Sequence, residues 1–480
     1  MGTNLETDNV KVGLFGIGLD TYWRQFGDLR ERLVGYQDVI AKKIELSGVD
    51  VVNVGLVDNP ISANEAAKKF KQEDVSLIFL YVSTYALSST VLPVVQKTNA
   101  PVVVLNLQPV KAINYAKFNS LGDRTKMTGE WLAHCQACSV PEIANVFLRS
   151  GIKFHQITGV LYEDPIAWGE IDSWLRATRV AQTLKSCRIG LLGHYYNGML
   201  DIYSDLTRLS GQFGVHFEIL EMCELLDNLG KVSTEDLDKK VREIHDIFDV
   251  QSDCPNEEIR RAAKTSAALD GLIKQHDLGA MAYFYNGTGD ENYVNLIASV
   301  IVGNSILTST GVPVAGEYEV KNVLAMKILD SLGVGGSFTE FYAMDFDDDV
   351  VLMGHDGPGH MTIAQGKTKL KPLKVFHGKV GQGLSVEMTV RHGAVTLLSV
   401  IDSLDGNAAF LIAEGESVAG QILEIGNTNS RYKFPIGARG FIDAWCSHGP
   451  AHHCAIGIGH VASELEKLAK LLGIKAIKVC

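Results

Sequence analysis

The sequence predicts an α/β protein: two doubly wound parallel-sheet units, then a C-terminal α+β unit with an antiparallel, β-barrel-like part. Three observations carry this. Short apolar segments alternate with helical ones over the first two thirds of the 480 residues, which implies parallel strands covered on both faces. Near residue 334 the texture changes to short Val-, Leu- and Phe-rich segments divided by Gly, Asn and Asp. The length suits roughly three domains at about 150 residues each. The expected boundaries are 1–175, 176–315 and 316–480, with the last unit carrying the candidate metal ligands.

In the first unit, residues 11–18 read as a buried strand ending in a Gly-rich turn, followed by a helical pattern from Arg30 to Leu46. Residues 50–57 form a second strand, a helix begins over Glu65–Lys71, and residues 75–82 and 101–106 are further strands. In the second unit, residues 188–193 are a strand, Met199–Leu209 are helical and Val215–Glu221 return to strand. Charged helical stretches follow over Ser233–Phe248 and Asn256–Lys274, then a strand over Gly279–Asn286. The third unit has short strands at 373–378, 384–390, 394–401 and 408–414, and a last helix over Val461–Leu472. Ligands of doubly wound sheets bind at the carboxyl ends of the strands.

Hydrophobic residues make up 46% and charged residues 21%, as in a globular protein with a sizeable core. A net charge of −12 argues against nucleic acid or an anionic membrane surface as partner. Met1 to Val10 is polar and acidic, without the apolar stretch of a secretory signal. No segment reaches the ~18 apolar residues that span a bilayer. The eight cysteines show no dense framework, so reduced thiols and a cytoplasmic location are expected.

Several short motifs have plain structural readings. Gly16-Ile17-Gly18 lacks the third glycine of a dinucleotide fingerprint, so a tight strand-to-helix turn is expected, with Tyr22 and Trp23 placed to line a sugar pocket. Cys135-Gln136-Ala137-Cys138 has redox or zinc spacing but no second pair nearby, and a helical pair in a core is expected. Asp345, Asp347, Asp348 and Asp349 lack calcium-loop spacing and read as a solvated turn.

The last third is different. Glu317 follows Gly316, Glu340 closes Ser337-Phe338-Thr339, and His355 and His360 flank Asp-Gly-Pro-Gly. His448, His452, His453 and His460 crowd a short stretch. Carboxylates and imidazoles beside small residues suit an open site for a divalent cation such as Mn²⁺, and hence metal-assisted chemistry on an oxygen-rich substrate. The neighbouring side chains of His452 and His453 point apart in extended chain, so at most one is a direct ligand.

The order and context of these residues resemble the L-arabinose isomerase family, which shares its fold with L-fucose isomerases. Gly316-Glu317 before a helix, Ser337-Phe338-Thr339-Glu340 with Tyr342, Val351-Leu352-Met353-Gly354-His355 and Ala451-His452-His453 all look like that family's segments. The resemblance implies two Rossmann-like domains, a C-terminal domain containing an antiparallel β-barrel, and homohexamers whose active sites lie at subunit interfaces. It implies Mn²⁺, replaceable by Co²⁺ or Mg²⁺, on Glu317, Glu340, His355 and His453, with the two glutamates as the catalytic acid/base pair. Tyr22, Tyr85, Gln136, Ser139, Tyr342 and His452 fall at sugar-facing positions. The chain departs from the family in its first half. Leu19-Asp20-Thr21-Tyr22 stands where the family has Gln-His-Leu-Tyr, Ser139 where it has a histidine, and Tyr85 where phenylalanine is usual.

The resulting expectation is a Mn²⁺-dependent aldose–ketose isomerase for an open-chain sugar, an L-arabinose-like pentose or a related hexose or deoxysugar. The alternative is a non-catalytic sugar-binding or regulatory protein on the same scaffold.

Overall fold

The structure, a computed structural model, describes residues 10–98, 100–286, 289–373 and 382–480. These divide into two compact units, within 10–182 and within 183–480.

The first unit is built on strands β1 (Lys11–Ile17), β2 (Asp50–Val57), β3 (Leu77–Tyr81), β4 (Val102–Gln108) and β5 (Phe154–Val160). They pair in the order β2-β1-β3-β4-β5, every pair parallel. All five residues of β3 are buried, because helices cover both faces of a doubly wound sheet. Phe15, Phe70, Leu80 and Val104 belong to its core. Strand β5 was not expected from the sequence. It lies at the sheet edge and carries His155, Gln156 and Thr158, so it lacks the continuous apolar run of a central strand. The helix over Pro60–Gln72 starts earlier than expected because Asn59 caps it, accepting from the backbone N–H of Ile61 and Ser62 at 2.9 and 3.0 Å.

The cysteine pair corrects the expectation of reduced, helical thiols. Cys135 and Cys138 are joined by a disulfide in the turn between the helices Arg124–Leu132 and Val140–Arg149. Pro141 in the first turn of the second helix suits the start of a new helix rather than the continuation of an old one. The link is therefore non-helical, with the Cα atoms 5.4 Å apart, ordinary disulfide geometry. The other six cysteines are free.

The second unit begins with another parallel sheet. Strands β6 (Arg188–Gly193), β7 (His216–Leu220), β9 (Ala280–Phe284) and β10 (Val314–Ala315) pair in the order β10-β9-β6-β7. The helix expected over Met199–Leu209 is broken. A 3-10 turn covers Leu200–Ile202, and the helix proper, Leu206–Phe213, starts at Asp205, whose carboxylate accepts from the Arg208 N–H at 3.0 Å. Strand β8 (Asp249–Val250) joins β13 (Lys369–Leu373) and β14 (Gly383–Glu387) in a small sheet. Of the strand expected at 373–378, residues 374–378 lie outside the described residues.

The remaining strands are β11 (Gly335–Asp345), β12 (Val350–His355), β15 (Gly393–Asp402), β16 (Ala408–Val418), β17 (Thr428–Lys433), β18 (His453–Ile458) and β19 (Lys475–Lys478). They form one sheet, β15-β18-β11-β12-β17-β16-β19, in which β15 also pairs with β16. All of its pairings are antiparallel except β16 with β19. Its core includes Met353, Leu397, Leu411, Phe441 and Trp445. The acidic run is the turn between β11 and β12. The Asp345 carboxylate accepts the Asp347 and Asp348 N–H groups at 3.1 and 3.0 Å, and the buried Arg431 guanidinium pairs with Asp345 and Asp348. No helix among the described residues is long and apolar enough to cross a membrane.

Candidate metal centre

Register brings the histidines and glutamates together. Glu340 on β11 lies directly opposite His453 on β18 and, on its other side, opposite Gly354 on β12. Directly paired side chains share a face of the sheet. His355 follows Gly354 at the end of β12. Gly354 permits this close pairing, since a Cβ there would lie 1.9 Å from the Thr428 carbonyl oxygen on β17.

Glu317 arrives from outside that sheet, on the turn between β10 and the helix Val320–Ser331. Glu317 and the following Tyr318 both have left-handed backbone, with φ of +58° and +63°. That conformation costs roughly 1–2 kcal/mol for an ordinary residue, and such strain clusters at functional sites. The turn is held by the Tyr318 N–H to the Tyr283 carbonyl at 3.0 Å and the Glu319 N–H to the Gly316 carbonyl at 3.0 Å.

The turn delivers two carboxylates to one imidazole. Glu319 accepts a close hydrogen bond from His453 Nδ1, and both residues are fully buried. Glu317 Oε2 lies 3.6 Å from His453 Nε2. With Nδ1–H given to Glu319, a neutral ring presents its lone pair at Nε2. Glu317 Oε2 and His453 Nε2 are both buried and have no hydrogen-bond partner. Two electron-rich atoms facing each other without a proton donor fit a bound cation, and the Glu319 bond is the usual outer support of a metal-ligating histidine.

Ligand atoms of Glu317, His355 and His453 lie within 4.8 Å of one another, as do those of Glu340, His452 and His453. His453 is common to both groups. Phe338 lines them from beneath, its ring 4.4 Å from that of His355 and 4.3 Å from that of His453.

His452 is exposed and differently held. Its Nδ1 and its backbone N–H both donate to Asp201, at 2.6 and 3.0 Å. Its Nε2 lies 3.7 Å from Glu317 Oε2, an ionic contact rather than a hydrogen bond. The Glu317 carboxylate pushes the His452 ring up to about 9 against the opposing effect of burial, with Asp201 adding to the rise. The phenol of Tyr342 is well above its usual range through burial and then the carboxylates of Glu340 and Asp356, and its oxygen accepts from Asn427 at 3.0 Å. Tyr283 is pushed up to about 12, first by burial, with Asn304 lowering it and Glu317 and Asp356 raising it.

The other histidines of the cluster fall outside both groups. The His360 N–H donates to Ser337 Oγ at 3.2 Å, and His460 Nε2 meets the Gly415 carbonyl at 3.1 Å. His448 is exposed.

The remaining sequence-derived positions lie in the first unit. Tyr22 and Tyr85 are half-buried, and Tyr22 is raised by burial and by the Tyr85 phenol. The Tyr85 hydroxyl donates to Glu142 at 3.3 Å. Trp23 packs against Gly18 and donates to Asp58 at 2.8 Å. Gln136 and Ser139 are buried at 1% and 0% exposure. Gln136 Nε2 donates to the Ser83 and Ala133 carbonyls, and Ser139 Oγ accepts the Ala86 N–H at 2.9 Å. Glu319 and Asp201 were missed from the sequence. Glu319 sits two residues from Glu317, a spacing that could have drawn attention, whereas Asp201 is 251 positions from its partner.

An α/β scaffold with a strained glutamate facing strand-end histidines fits an enzyme that works on oxygen-rich molecules with a cation. Comparison with known proteins makes the class definite. Residues 335–475 match the L-arabinose isomerase C-terminal domain. The chain is 22% identical over 352 residues to an L-arabinose isomerase of a Nocardioides species, covering 70% of this chain and 68% of that protein. It is 22% identical over 339 residues to an L-arabinose isomerase of Mycolicibacterium smegmatis, covering 66% of this chain and 64% of that protein. These similarities place the chain among the sugar isomerases, which are intramolecular oxidoreductases. Within that class its similarity is to L-arabinose isomerases, through the C-terminal domain over residues 335–475 and at 22% identity to both relatives.

Proposed function

We propose that the chain is an aldose–ketose isomerase working with Mn²⁺, replaceable by Co²⁺ or Mg²⁺, on an open-chain L-arabinose-like pentose or a related hexose or deoxysugar. Glu317, Glu340, His355 and His453 hold the cation in this reading. The observation that carries it is the facing pair Glu317 Oε2 and His453 Nε2, buried, 3.6 Å apart and lacking any hydrogen-bond donor between them. When bound, the cation stabilises the negative charge that develops on two adjacent substrate oxygens.

The protein's own groups do the rest. One glutamate of the pair Glu317 and Glu340 takes the proton from the carbon beside the carbonyl and returns it to the neighbouring carbon, while the other serves the oxygens. Glu319 fixes the ring of His453. Phe338 closes the apolar floor and limits water around the reacting carbons. Tyr342 and His452 are proposed sugar contacts in the second unit, and Tyr22 and Tyr85 are proposed sugar-facing residues of the first. Gln136 and Ser139 enter this reading through the 83–86 loop they fasten, which carries Tyr85.

The reading extends to three domains divided at 175 and 315, to a barrel made by the ring of strand pairings in the third, and to a cytoplasmic homohexamer with active sites at subunit interfaces. The test is a panel of aldopentoses, aldohexoses and deoxysugars with the Mn²⁺-loaded protein, followed by ketose formation and by exchange of the C2 hydrogen in D₂O. At least one sugar should give both. Conversion of none overturns the reading, and binding without exchange would leave a sugar-binding protein.

A further inference from the structure

We propose that Asp201 is a positioning residue for the reaction, holding His452 in the ring orientation and tautomer that turn Nε2 toward the glutamates. The proposal rests on the isomerase reading for its chemistry but not for its geometry.

Asp201 lies in the 3-10 turn Leu200–Ile202, far in sequence from the strands that carry the candidate ligands. One oxygen of its carboxylate, Oδ2, receives both the His452 backbone N–H and the ring Nδ1, at 3.0 and 2.6 Å. A carboxylate only accepts, so Nδ1 bears a proton and Nε2 is the ring nitrogen left to face the site. Holding the backbone and ring of one residue from the same oxygen leaves the imidazole little freedom about χ1 and χ2. Nε2 then faces Glu317 at 3.7 Å, and its ligand atom lies within 4.8 Å of those of Glu340 and His453.

The turn is itself tied to the segment that carries Glu317. The Lys321 ammonium, in the first turn of the helix after Glu319, donates to the Asp201 carbonyl at 3.1 Å and to Asp402 at 2.7 Å. The Tyr196 N–H reaches the Glu317 carbonyl at 3.4 Å. The Tyr195 ring meets those of Tyr203 and Tyr318 edge-on, at 5.0 and 4.8 Å. Asp201 and Glu317 are thereby held in one framework. A separation of 3.7 Å is too long for a direct hydrogen bond, yet a hydroxyl oxygen can lie within reach of both Nε2 and Oε2. A vicinal polyol is the substrate chemistry that this pair recognises, with one hydroxyl lying between Nε2 and Oε2.

The experiment compares D201A and D201N with the wild-type full chain. In D201A the expected loss in kcat/KM is about 10–100-fold, the range for outer-shell partners, with Mn²⁺ affinity by calorimetry unchanged within about threefold. D201N keeps an acceptor oxygen and should recover much of that loss. A second readout needs no turnover: the ring ¹⁵N signals of His452 in ¹⁵N-histidine protein loaded with Mg²⁺, assigned by their absence in H452Q. Recorded above the pH at which the ring loses its second proton, the wild type should show the Nδ1–H tautomer, and D201A should lose it. Unchanged ring signals in D201A overturn the proposal, as does kcat/KM within twofold of wild type. If the wild type converts no sugar, the isomerase reading falls, and the ring signals alone decide the role of Asp201.

Discussion

Buried polar side chains are used in opposite ways at two places, one in each unit. In residues 10–182, Thr84 Oγ1 donates to the Leu132 carbonyl at 2.8 Å and Ser139 Oγ accepts the Ala86 N–H at 2.9 Å, so side chains fasten loops to the ends of a parallel sheet. In residues 183–480, Glu317 and His453 turn their acceptor atoms toward each other without a hydrogen bond. Burying an unpaired polar group is expensive. The contrast teaches that the first unit is organised for rigidity at these positions. The second tolerates local destabilisation where a ligand can relieve it.

The largest expected effect tests the reactive side of that contrast. Glu340→Gln should lower turnover by about 10²–10⁴-fold, the range for losing an acid/base group, with circular dichroism and Tm unchanged. Turnover within tenfold of wild type would remove Glu340 from the chemistry. Next, Glu319→Ala should weaken Mn²⁺ binding about 10–100-fold, because His453 loses the partner that fixes its tautomer. Unaltered affinity in a titration would show that the buried pair serves packing alone.

A third measurement asks whether the cation acts on one unit only. At a Mn²⁺ concentration of about 100 Kd, mass action stabilises the binding unit by about 2.7 kcal/mol. Hydrogen exchange should slow in β11, β12, β18 and the 316–319 turn and stay unchanged in β1 to β5. Equal protection of both units would erase the distinction. The smallest effect belongs to Ser139→Ala, which leaves the Ala86 N–H without its acceptor and should cost about 1–3 kcal/mol of stability. KM for a converted sugar should move less than twofold. A KM rise at unchanged Tm would make Ser139 a direct sugar contact instead of a fastener.

Legibility in the sequence followed the same division. Central strands such as β3 and β4 show in the sequence because both faces are apolar, whereas β5 hides its edge position behind His155, Gln156 and Thr158. The helix over Leu206–Phe213 was displaced from its expected start by Asp205, a local capping choice that competes with apolar periodicity. In the site, Glu317 and His355 adjoin glycines, and the family resemblance singled out Glu317, Glu340, His355 and His453 as a set. Glu319 and Asp201 do not stand out, since an acidic residue near a helix start or in a turn is ordinary.

The amino-acid sequence by itself determined the parallel sheets of both units, the change to antiparallel strands after residue 334, and the residue types of the candidate centre. These depend on local apolar pattern and side-chain chemistry, which neighbours in the chain express. Only the tertiary structure decided that Glu319 would grip His453 across 134 positions and Asp201 would hold His452 across 251. It also joined Cys135 to Cys138 in a turn. Such pairings arise when strand register and turn geometry place distant backbone segments side by side, and no periodicity within a single segment records that meeting.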